Sequence, residues 1–246
     1  MKIKEELHSI ILAAGRGSRM KHLTSNLPKC RTILHDKELI DWQFDSLRSA
    51  NISNIAIVTG YLSHTFKYTV TYFHNKNWEN TNMLSSLMKA SSWLDKHVCI
   101  ISYSDIVFSQ DAVSVVAEST GDIVIAYDPN WFRLWNMRFQ NPLIDAETFE
   151  FKNNILLEIG DKTDNIKNIQ GQYMGLIKIT PTGWLTIKSY LSKIKLEIIN
   201  KLDITSFLKI LINEGIIINV VPINDNWYEI DSESDLNVYE SLKKLW

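Results

Sequence analysis

The chain has 246 residues, of which 45% are hydrophobic and 22% are charged, and its formal net charge is −2. This is an ordinary globular composition, sufficient for one large α/β domain or for one domain with an insertion. The near-neutral charge and the lack of a basic stripe argue against a nucleic acid as partner.

Cysteine usage and the N-terminal segment bear on the compartment. The two cysteines, Cys30 and Cys99, suggest neither a disulfide framework nor a metal-ligand pattern, which favours a reducing cytoplasm. Residues 1–6 are charged and are not followed by the apolar segment of a secretory leader. No apolar run approaches the roughly 20 residues that a membrane-spanning helix needs. We therefore expect a cytoplasmic enzyme of small-molecule metabolism with no membrane partner.

In the first half of the chain, predicted strands alternate with predicted helices. The strands are expected at residues 9–13, 54–59, 98–103 and 122–127, and the helices at 39–50, 82–94 and 112–118. This alternation predicts an α/β fold, with a Rossmann-like, mainly parallel sheet and helices on both faces. Ligands of such sheets bind beyond the carboxyl ends of the strands. The loop after residue 13, Gly60 and Asp105 all follow strands, so we expect them to converge on one edge.

The second half of the chain changes character. Residues 131–142 are aromatic and irregular, and residues 148–159 are typical of a β-hairpin that turns at Asn153 and Asn154. A strand at 173–180, a helix from Pro181, a helix at 204–213, strands at 216–222 and 227–230 and a closing helix at 232–245 follow. No linker or internal repeat interrupts the chain. We expect one domain over residues 1–246, with a small β-rich lid or acceptor-side subdomain at about 128–180.

The segment after the first strand has the layout of a polyphosphate site. A buried strand runs into the loop Gly15-Arg16-Gly17-Ser18-Arg19, and Pro28-Lys29 follows. Glycines let backbone N–H groups approach phosphate oxygens, and the cations neutralise the remaining charge. A dinucleotide-binding loop would need glycine where Met20 stands, and no Gly-Lys-Ser/Thr follows as in a Walker A loop.

These residues carry a resemblance to a known family. The pattern Leu-Ala-Ala-Gly-x-Gly-x-Arg over residues 12–19, followed by Pro-Lys, resembles the signature of nucleotidyltransferases that join an NTP to a phosphorylated small molecule. That family includes sugar-1-phosphate nucleotidylyltransferases and phosphocholine-type cytidylyltransferases. The resemblance implies the nucleotide-diphospho-sugar transferase fold. It also implies attack by an acceptor phosphate oxygen on the α-phosphorus of the NTP, with release of pyrophosphate.

Such a reaction brings two anions together, so it needs cations and a divalent metal, usually Mg²⁺ held by carboxylates. At the matching positions, the resemblance assigns Arg19 to the β- and γ-phosphates and Lys29 to the α-phosphate, which makes both catalytic candidates. Asp105 and Asp231 each follow a predicted strand and are the candidate metal ligands. For each aspartate the alternative is a helix-capping or turn role, and Ser232 with Asp235 could form a capping box nearby.

The nucleotide-binding candidates extend beyond the loop. Asn82 with Ser85 and Ser86 resembles the family's nucleotide-side segment, although Asn82 could equally be a helix cap. Gly60 could form the floor of the base pocket. The complete candidate set is Leu12, Ala13, Ala14, Gly15, Gly17, Ser18, Arg19, Lys29, Gly60, Asn82, Ser85, Ser86 and Asp105.

Residues 169–175 indicate a narrower branch of the family. They resemble the Gly-Glu-Tyr-x-Gly segment of phosphocholine-type cytidylyltransferases, with Gln172 in place of the acid. Together with the aromatic segment after residue 127, they are most similar to cytidylyltransferases of the phosphoglutamine type. Aromatic faces attract ammonium groups, and a carboxylate such as Glu147 could bind an amine, although aromatic side chains are more often core. The acceptor-binding candidates are Trp131, Trp135, Arg138, Glu147, Gln172 and Tyr173.

The sequence supports one leading hypothesis and two alternatives. The leading one is a Mg²⁺-dependent cytidylyltransferase that transfers CMP from CTP to a small phosphorylated acceptor of the phosphoglutamine, phosphonate or phosphocholine type, for surface-polysaccharide (capsule) decoration. One alternative is a sugar-1-phosphate nucleotidylyltransferase that uses UTP or dTTP. The other is a non-catalytic nucleotide-sensing domain. The sequence does not distinguish a monomer from a homodimer.

Overall fold

The computed structural model describes residues 6–245, so the charged residues 1–5 and the C-terminal residue lie outside the description. The strands are β1 His8–Ala13, β2 Ile33–Leu34, β3 Lys37–Glu38, β4 Asn54–Thr59, β5 Thr71–His74, β6 Cys99–Tyr103, β7 Ile106–Phe108, β8 Ile123–Asp128, β9 Glu147–Lys152, β10 Ile155–Lys162, β11 Gln172–Ile179, β12 Asn219–Pro222 and β13 Trp227–Glu229.

The α-helices are α1 Leu39–Ser49, α2 Met83–Leu87, α3 Ser91–Leu94, α4 Gln110–Glu118, α5 Trp131–Arg138, α6 Pro181–Leu191, α7 Leu196–Ile199, α8 Ile204–Asn213 and α9 Glu233–Glu240. Short 3-10 helices lie at Ser18–Thr24, Lys29–Arg31, Ser63–Thr65, Trp78–Asn80, Met88–Ala90, Pro142–Ile144 and Ile166–Asn168. Within residues 6–245, no helix is long and apolar enough to cross a bilayer.

A central sheet of the described residues has the strand order β5-β4-β1-β6-β11-β8-β12-β10-β9. Strand β1 pairs parallel with β4 and with β6, β4 pairs parallel with β5, and β12 pairs parallel with β8. Strand β11 runs antiparallel between β6 and β8, which makes the sheet mixed. The predicted Rossmann-like α/β sheet is therefore confirmed, with one antiparallel strand at its centre.

Alternate residues of the inner strands supply a core on each face of the sheet. All six residues of β1 are buried, as expected of a strand covered on both sides. Ile11 belongs to a core with Leu39 and Phe44 of α1, whereas Ile10 belongs to a core with Trp184 of α6 and Phe207 of α8. Helices therefore cover both faces, and the carboxyl ends of the strands are left for a ligand.

The segment predicted as irregular, residues 131–142, begins with a helix, so that expectation was wrong. The Asp128 carboxylate accepts a hydrogen bond from the Asn130 N–H, which turns the chain at the start of α5. Trp131, Leu134 and Trp135 then form one buried face at helical spacing. Aromatic residues at this spacing serve the core, and their burial favours a helix where composition alone suggested a loop.

Three predicted elements are shorter than expected. The predicted helix over 82–94 breaks into α2, a 3-10 turn and α3, because the Ser91 hydroxyl donates to the Met88 carbonyl. The closing helix ends at Glu240, where the Ser241 hydroxyl bonds the Val238 carbonyl. Strand β12 begins only at Asn219, because the residues after Gly215 complete a left-handed cap on α8 instead of pairing.

The expected hairpin is confirmed, and it lies at one edge of the sheet. Strands β9 and β10 pair antiparallel around Asn153 and Asn154, which have φ of 53° and 59°. Asparagine tolerates this left-handed backbone better than most residues. The segment predicted as a lid thus contains an edge hairpin, β9–β10, and also the central strand β11.

Candidate active site

The glycine-bearing loop follows β1, where Leu12, Ala13 and Ala14 are buried. Gly17 has φ of +69°, and a Cβ built there would lie 2.6 Å from Cδ of Lys29. Glycine is therefore required twice, for its backbone conformation and for the passage of the lysine side chain. A Cβ built on Gly15 would meet nothing within 4 Å, so this face of the loop is open.

Lys29 joins the loop to two carboxylates. Its Nζ lies 2.6 Å from Oδ2 of Asp105 and 2.6 Å from Oδ1 of Asp231, and its side chain is only 8% exposed. Burial disfavours the charged ammonium, but the two carboxylates outweigh it and raise the pKa of Lys29. Arg19, which is 75% exposed, forms an ion pair with the other oxygen of Asp231. Both predicted catalytic cations thus meet the predicted metal ligands.

A short two-stranded ladder brings the two aspartates together. Asp105 precedes β7 and Asp231 follows β13, and these strands pair antiparallel, with Glu229 opposite Ile106. The Ile230 N–H donates to the Asp105 carbonyl at 2.8 Å, which holds the neighbouring backbone in register. The position of Asp105 after β6 at the sheet edge follows the topological rule used above.

The capping alternative for Asp231 is excluded by the hydrogen bonds. Ser232 and Asp235 form the capping box that begins α9. The Asp231 N–H donates to Oδ2 of Asp235, while the Asp231 carboxylate turns to Lys29 and Arg19. The side chain of Asp231 is therefore free of the cap.

The donor set fits a divalent cation. Oδ1 of Asp105 is buried and has no hydrogen-bond partner in the part of the chain that the structure describes. Asp105 and Asp231 belong to no larger His, Cys, Asp or Glu cluster of metal-binding geometry among the described residues. Mg²⁺ is commonly held by one or two carboxylates, with substrate phosphates and waters completing the shell.

A cleft of about 460 Å³ extends from these aspartates toward β9 and β11. Carboxylates outnumber cations among its lining residues, so its interior attracts positive charge. The polar and aromatic residues that line it are Arg19, Asn82, Tyr103, Asp105, Trp135, Asp145, Glu147, Thr148, Phe149, Gln172, Tyr173, Asp203, Thr205, Ser206, Glu229 and Asp231.

The predicted nucleotide-side serines have other partners. Asn82 lines the cleft and caps α2, since its Oδ1 accepts the Met83 N–H. Ser85 is buried and donates to Oδ1 of Asn200, and Ser86 is buried and accepts from Nδ2 of Asn75. Neither serine lines the cleft, so their observed role is to fix α2.

Gly60 follows β4 and packs against Ala14 at the start of the loop, whereas Ser18 lies within the loop. A Cβ on Gly60 would lie 2.6 Å from the Ala14 carbonyl oxygen, and that oxygen accepts the Tyr61 N–H. The β4 end thus braces the loop by close backbone contact. Ser18 begins the 3-10 helix that carries Arg19, which the sequence analysis did not foresee.

Four of the six predicted acceptor residues line the cleft, and two do not. Trp131 is 4% exposed and lies in the hydrophobic core, because it is on the buried face of α5. The Arg138 side chain is 2% exposed and pairs with Glu229 and Asp235 behind the cleft. Neither side chain reaches a ligand in the cleft.

Two of the remaining four predicted acceptor residues, Gln172 and Glu147, are hydrogen-bonded to each other. Gln172 donates to the Glu147 carbonyl at 2.6 Å and accepts the Glu147 N–H at 3.2 Å, which ties β11 to β9. Burial raises the pKa of the Glu147 carboxyl, against the opposing effect of Lys162. Trp135 donates from Nε1 to the Asp145 carboxylate at 3.0 Å. The side-chain amide of Gln172 is therefore occupied by hydrogen bonds to the Glu147 backbone.

The sequence analysis missed several residues of the cleft wall. The Tyr103 ring meets that of Tyr173 edge to face at 5.8 Å, and burial raises the pKa of both hydroxyls. Asp203 caps α8 through the Ser206 N–H and also lines the cleft. For Glu229 the sequence held a signal, namely its position two residues before the candidate metal ligand Asp231. Residues two apart in an extended chain point to the same side.

This arrangement matches a known protein family. A family model described as the MobA-like NTP transferase domain matches residues 9–147. The chain belongs to this family. The matched region holds the glycine loop, Lys29 and Asp105, and the recognition made from the motif is confirmed. As a MobA-like transferase, the chain is a nucleotidyltransferase.

Two relatives of this MobA-like protein are named as cytidylyltransferases. It is 36% identical to the CTP:phosphoglutamine cytidylyltransferase of Campylobacter jejuni subsp. jejuni, over 94% of this chain and 98% of that one. It is 34% identical to the choline-phosphate cytidylyltransferase of Haemophilus influenzae, over 43% of this chain and 46% of that one.

Solved structures share the fold of this MobA-like chain. The inositol-1-phosphate CTP transferase from T. maritima aligns with a TM-score of 0.76 at 19% identity, over 96% of this chain and 94% of that one. The CTP:phosphocholine cytidylyltransferase from Streptococcus pneumoniae aligns with a TM-score of 0.71 at 23% identity, over 97% of this chain and all of that one.

Proposed function

We propose that this protein is a Mg²⁺-dependent cytidylyltransferase that transfers CMP from CTP to a small phosphorylated acceptor and releases pyrophosphate. The observation that carries the proposal is the ammonium of Lys29 held at 2.6 Å from both Asp105 and Asp231, beside an open glycine loop. The relative named CTP:phosphoglutamine cytidylyltransferase, matched over 98% of its length, supports the nucleotide and the acceptor class.

The proposed reaction is a phosphoryl transfer. An oxygen of the acceptor phosphate forms a bond to the α-phosphorus of CTP, the bond from that phosphorus to the bridging oxygen breaks, and pyrophosphate leaves with the bonding electrons. Both reactants are anions, so the protein contributes positioning and positive charge. Lys29 is suited to neutralise the α-phosphate, and the exposed Arg19 is suited to the β- and γ-phosphates.

Asp105 and Asp231 are the proposed Mg²⁺ ligands. The unpartnered, buried Oδ1 of Asp105 supports this assignment. When bound there, Mg²⁺ would neutralise charge on the α-phosphate and on the departing pyrophosphate. Lys29 contacts both carboxylates, and the lack of a side chain at Gly17 leaves room for the lysine to reach them.

The acceptor side favours a molecule with a cationic nitrogen. Asp145, Glu147 and Asp203 line the cleft beyond the metal carboxylates, together with the aromatic side chains of Trp135 and Tyr173. Carboxylates and aromatic faces both attract an ammonium group. We place phosphoglutamine first, ahead of aminoalkylphosphonates and phosphocholine, because of the relative named CTP:phosphoglutamine cytidylyltransferase, and we take residues 128–180 as the acceptor side of a single domain. Surface-polysaccharide decoration is the use that we propose for the product.

Pyrophosphate release tests this function directly. With Mg²⁺ present, CTP, UTP, ATP, GTP and dTTP are each combined with phosphoglutamine, 2-aminoethylphosphonate, phosphocholine and glucose-1-phosphate. We expect release with CTP and a nitrogen-bearing acceptor, and release slower by roughly 10²–10³-fold from the D105N variant. Release with UTP or dTTP and glucose-1-phosphate would overturn the proposal in favour of a sugar nucleotidylyltransferase. Nucleotide binding without any release would favour a sensing domain.

A further inference from the structure

Arg138 lies behind the active site in a buried ionic network. It is the last residue of α5, and its Nη1 lies 2.7 Å from Oε2 of Glu229, while its Nε lies 2.9 Å from Oδ1 of Asp235. Its guanidinium also lies over the rings of Trp135 and Phe139, at 5.3 and 5.0 Å from their centroids. A guanidinium held by two carboxylates and two rings has one well-defined position.

Asp235 extends this network to the backbone of Asp231. Oδ1 accepts from Nε of Arg138, and Oδ2 accepts from Nη2 of Arg138 at 3.4 Å. Oδ2 also accepts the N–H groups of Asp231 at 3.1 Å and Ser232 at 2.8 Å. The Asp235 residue is 3% exposed. Asp235 therefore links Arg138 to the backbone of Asp231, whose carboxylate contacts Lys29 and Arg19.

The same arginine also holds Glu229 at the wall of the cleft. Glu229 and Asp231 are two residues apart, and both line the cleft that contains Asp105. Without the guanidinium, the buried Asp235 and the partly exposed Glu229 would lose their shared partner and would move apart or bind water. A shift of Glu229 or of Asp235 would displace the backbone at Asp231, because Glu229 ends β13 and Asp235 accepts the Asp231 N–H.

We propose that Arg138 is a positioning residue, which sets the Asp231 carboxylate for metal and nucleotide binding through Asp235 and touches no substrate. The proposal rests on the proposed function only in taking Asp231 as a metal ligand. Lysine has one point charge and cannot donate to Glu229 and Asp235 from a planar fork. The R138K variant therefore keeps the charge but loses the geometry.

The test measures Mn²⁺ binding by electron paramagnetic resonance, with CTP present and acceptor absent, so that no turnover occurs. We expect the Mn²⁺ Kd of R138K to rise about tenfold, which is the lower end of the effect of losing a group that orients a metal ligand. The Mg²⁺ concentration for half-maximal pyrophosphate release should rise in parallel, with the acceptor KM unchanged at saturating Mg²⁺. The R133K variant changes an exposed arginine of the same helix and should match wild type.

A second variant guards against loss of folding. D235N removes the charge that Arg138 contacts, and the R138K/D235N double variant should be no worse than the poorer single variant, because the two residues act in series. Wild-type Mn²⁺ affinity in R138K and in D235N, or loss only in proportion to the folded fraction, would overturn the positioning role. Mn²⁺ binding by wild type without pyrophosphate release would overturn the proposed function and leave the Mn²⁺ comparison valid.

Discussion

The ammonium of Lys29 lies 2.6 Å from Oδ2 of Asp105, which ties the glycine loop to the end of β6. Oδ1 of Asp231 accepts a hydrogen bond from the same ammonium. Three charged groups from distant parts of the chain thus share one site with little exposure to water. The electrostatic balance of this trio underlies the following predictions.

Replacing Lys29 by methionine should leave two carboxylates facing each other without a cation. We expect K29M to lower turnover by roughly 10²–10³-fold, as the loss of a pre-organised charge at the reacting phosphate does. We also expect Mg²⁺ to raise the Tm of K29M more than that of wild type, since a divalent cation would replace the missing ammonium. Thermal melts with and without Mg²⁺ check this, and an equal Mg²⁺ shift in both proteins would contradict the shared site.

Two glycines of the loop should respond differently to alanine. G17A places a Cβ where φ is +69° and where Lys29 packs, so we expect a loss of roughly 1–2 kcal/mol of stability from the backbone alone, together with lower turnover. G15A has open space for its Cβ, so it should fold like wild type and raise the KM for CTP. Melting curves and steady-state kinetics of both variants separate the effects. A stable, active G17A would show that the Lys29 side chain does not need the space left by the missing Cβ of Gly17.

Glu38 should contribute stability that depends on pH. Although burial opposes ionisation, hydrogen bonds from Arg31 and Tyr68 lower the pKa of Glu38 below its ordinary value of 4.5. A lowered pKa stabilises the fold above that ordinary value, and this stabilisation is lost as the pH falls through the folded-state pKa. E38Q should therefore be less stable than wild type at pH 7 by roughly 1.5–3 kcal/mol, the range for hydrogen bonds to charged groups.

Denaturant titrations of E38Q and wild type across the acidic range check the pH dependence. The difference in free energy of unfolding should shrink as the pH falls below 4.5. A difference in unfolding free energy that stays constant at every pH would mean that the charge of Glu38 does not stabilise its contacts with Arg31 and Tyr68. Arg31 ends the 3-10 helix that begins at Lys29, so E38Q should also lower turnover modestly.

Gln172 should affect the acceptor more than the nucleotide. Its amide donates to the Glu147 and Gly171 carbonyls, and a carboxylate in its place cannot donate to either. We expect Q172E to raise the acceptor KM about tenfold, the equivalent of one lost hydrogen bond, with the CTP KM nearly unchanged. Equal increases in both KM values would place the effect on the whole fold instead of on the acceptor side.

The residues that we propose for the phosphate and metal site could be selected from the sequence because their signals are local. Arg19 and Lys29 stand at fixed offsets in one loop, and Asp105 follows a buried strand whose end the topological rule places at the ligand edge. The β11 insertion could not be predicted, since strand direction depends on pairing with distant β6 and β8. The alternation of strands and helices in the first half of the chain predicted only the parallel strands around β1.

The acceptor side was harder, because side-chain direction there is set by tertiary packing. Trp131 and Trp135 both belong to α5, yet only Trp135 reaches the cleft. Arg138 was an acceptor-binding candidate from sequence, but the carboxylates of Glu229 and Asp235 hold it behind the cleft. Ser85 and Ser86 lie within a helix whose orientation no local pattern specifies, so their buried partners could not be foreseen.

The most direct test of the account is pyrophosphate release by D105N with CTP, phosphoglutamine and saturating Mg²⁺, beside wild type. Asparagine keeps the size of the side chain but removes the negative charge that Lys29 and a metal would share. We predict that D105N keeps a cooperative melt and loses turnover by roughly 10²–10³-fold, a loss typical of removing one charge-stabilising group. Wild-type turnover in a folded D105N would contradict the assignment of the Lys29, Asp105 and Asp231 trio as the catalytic centre.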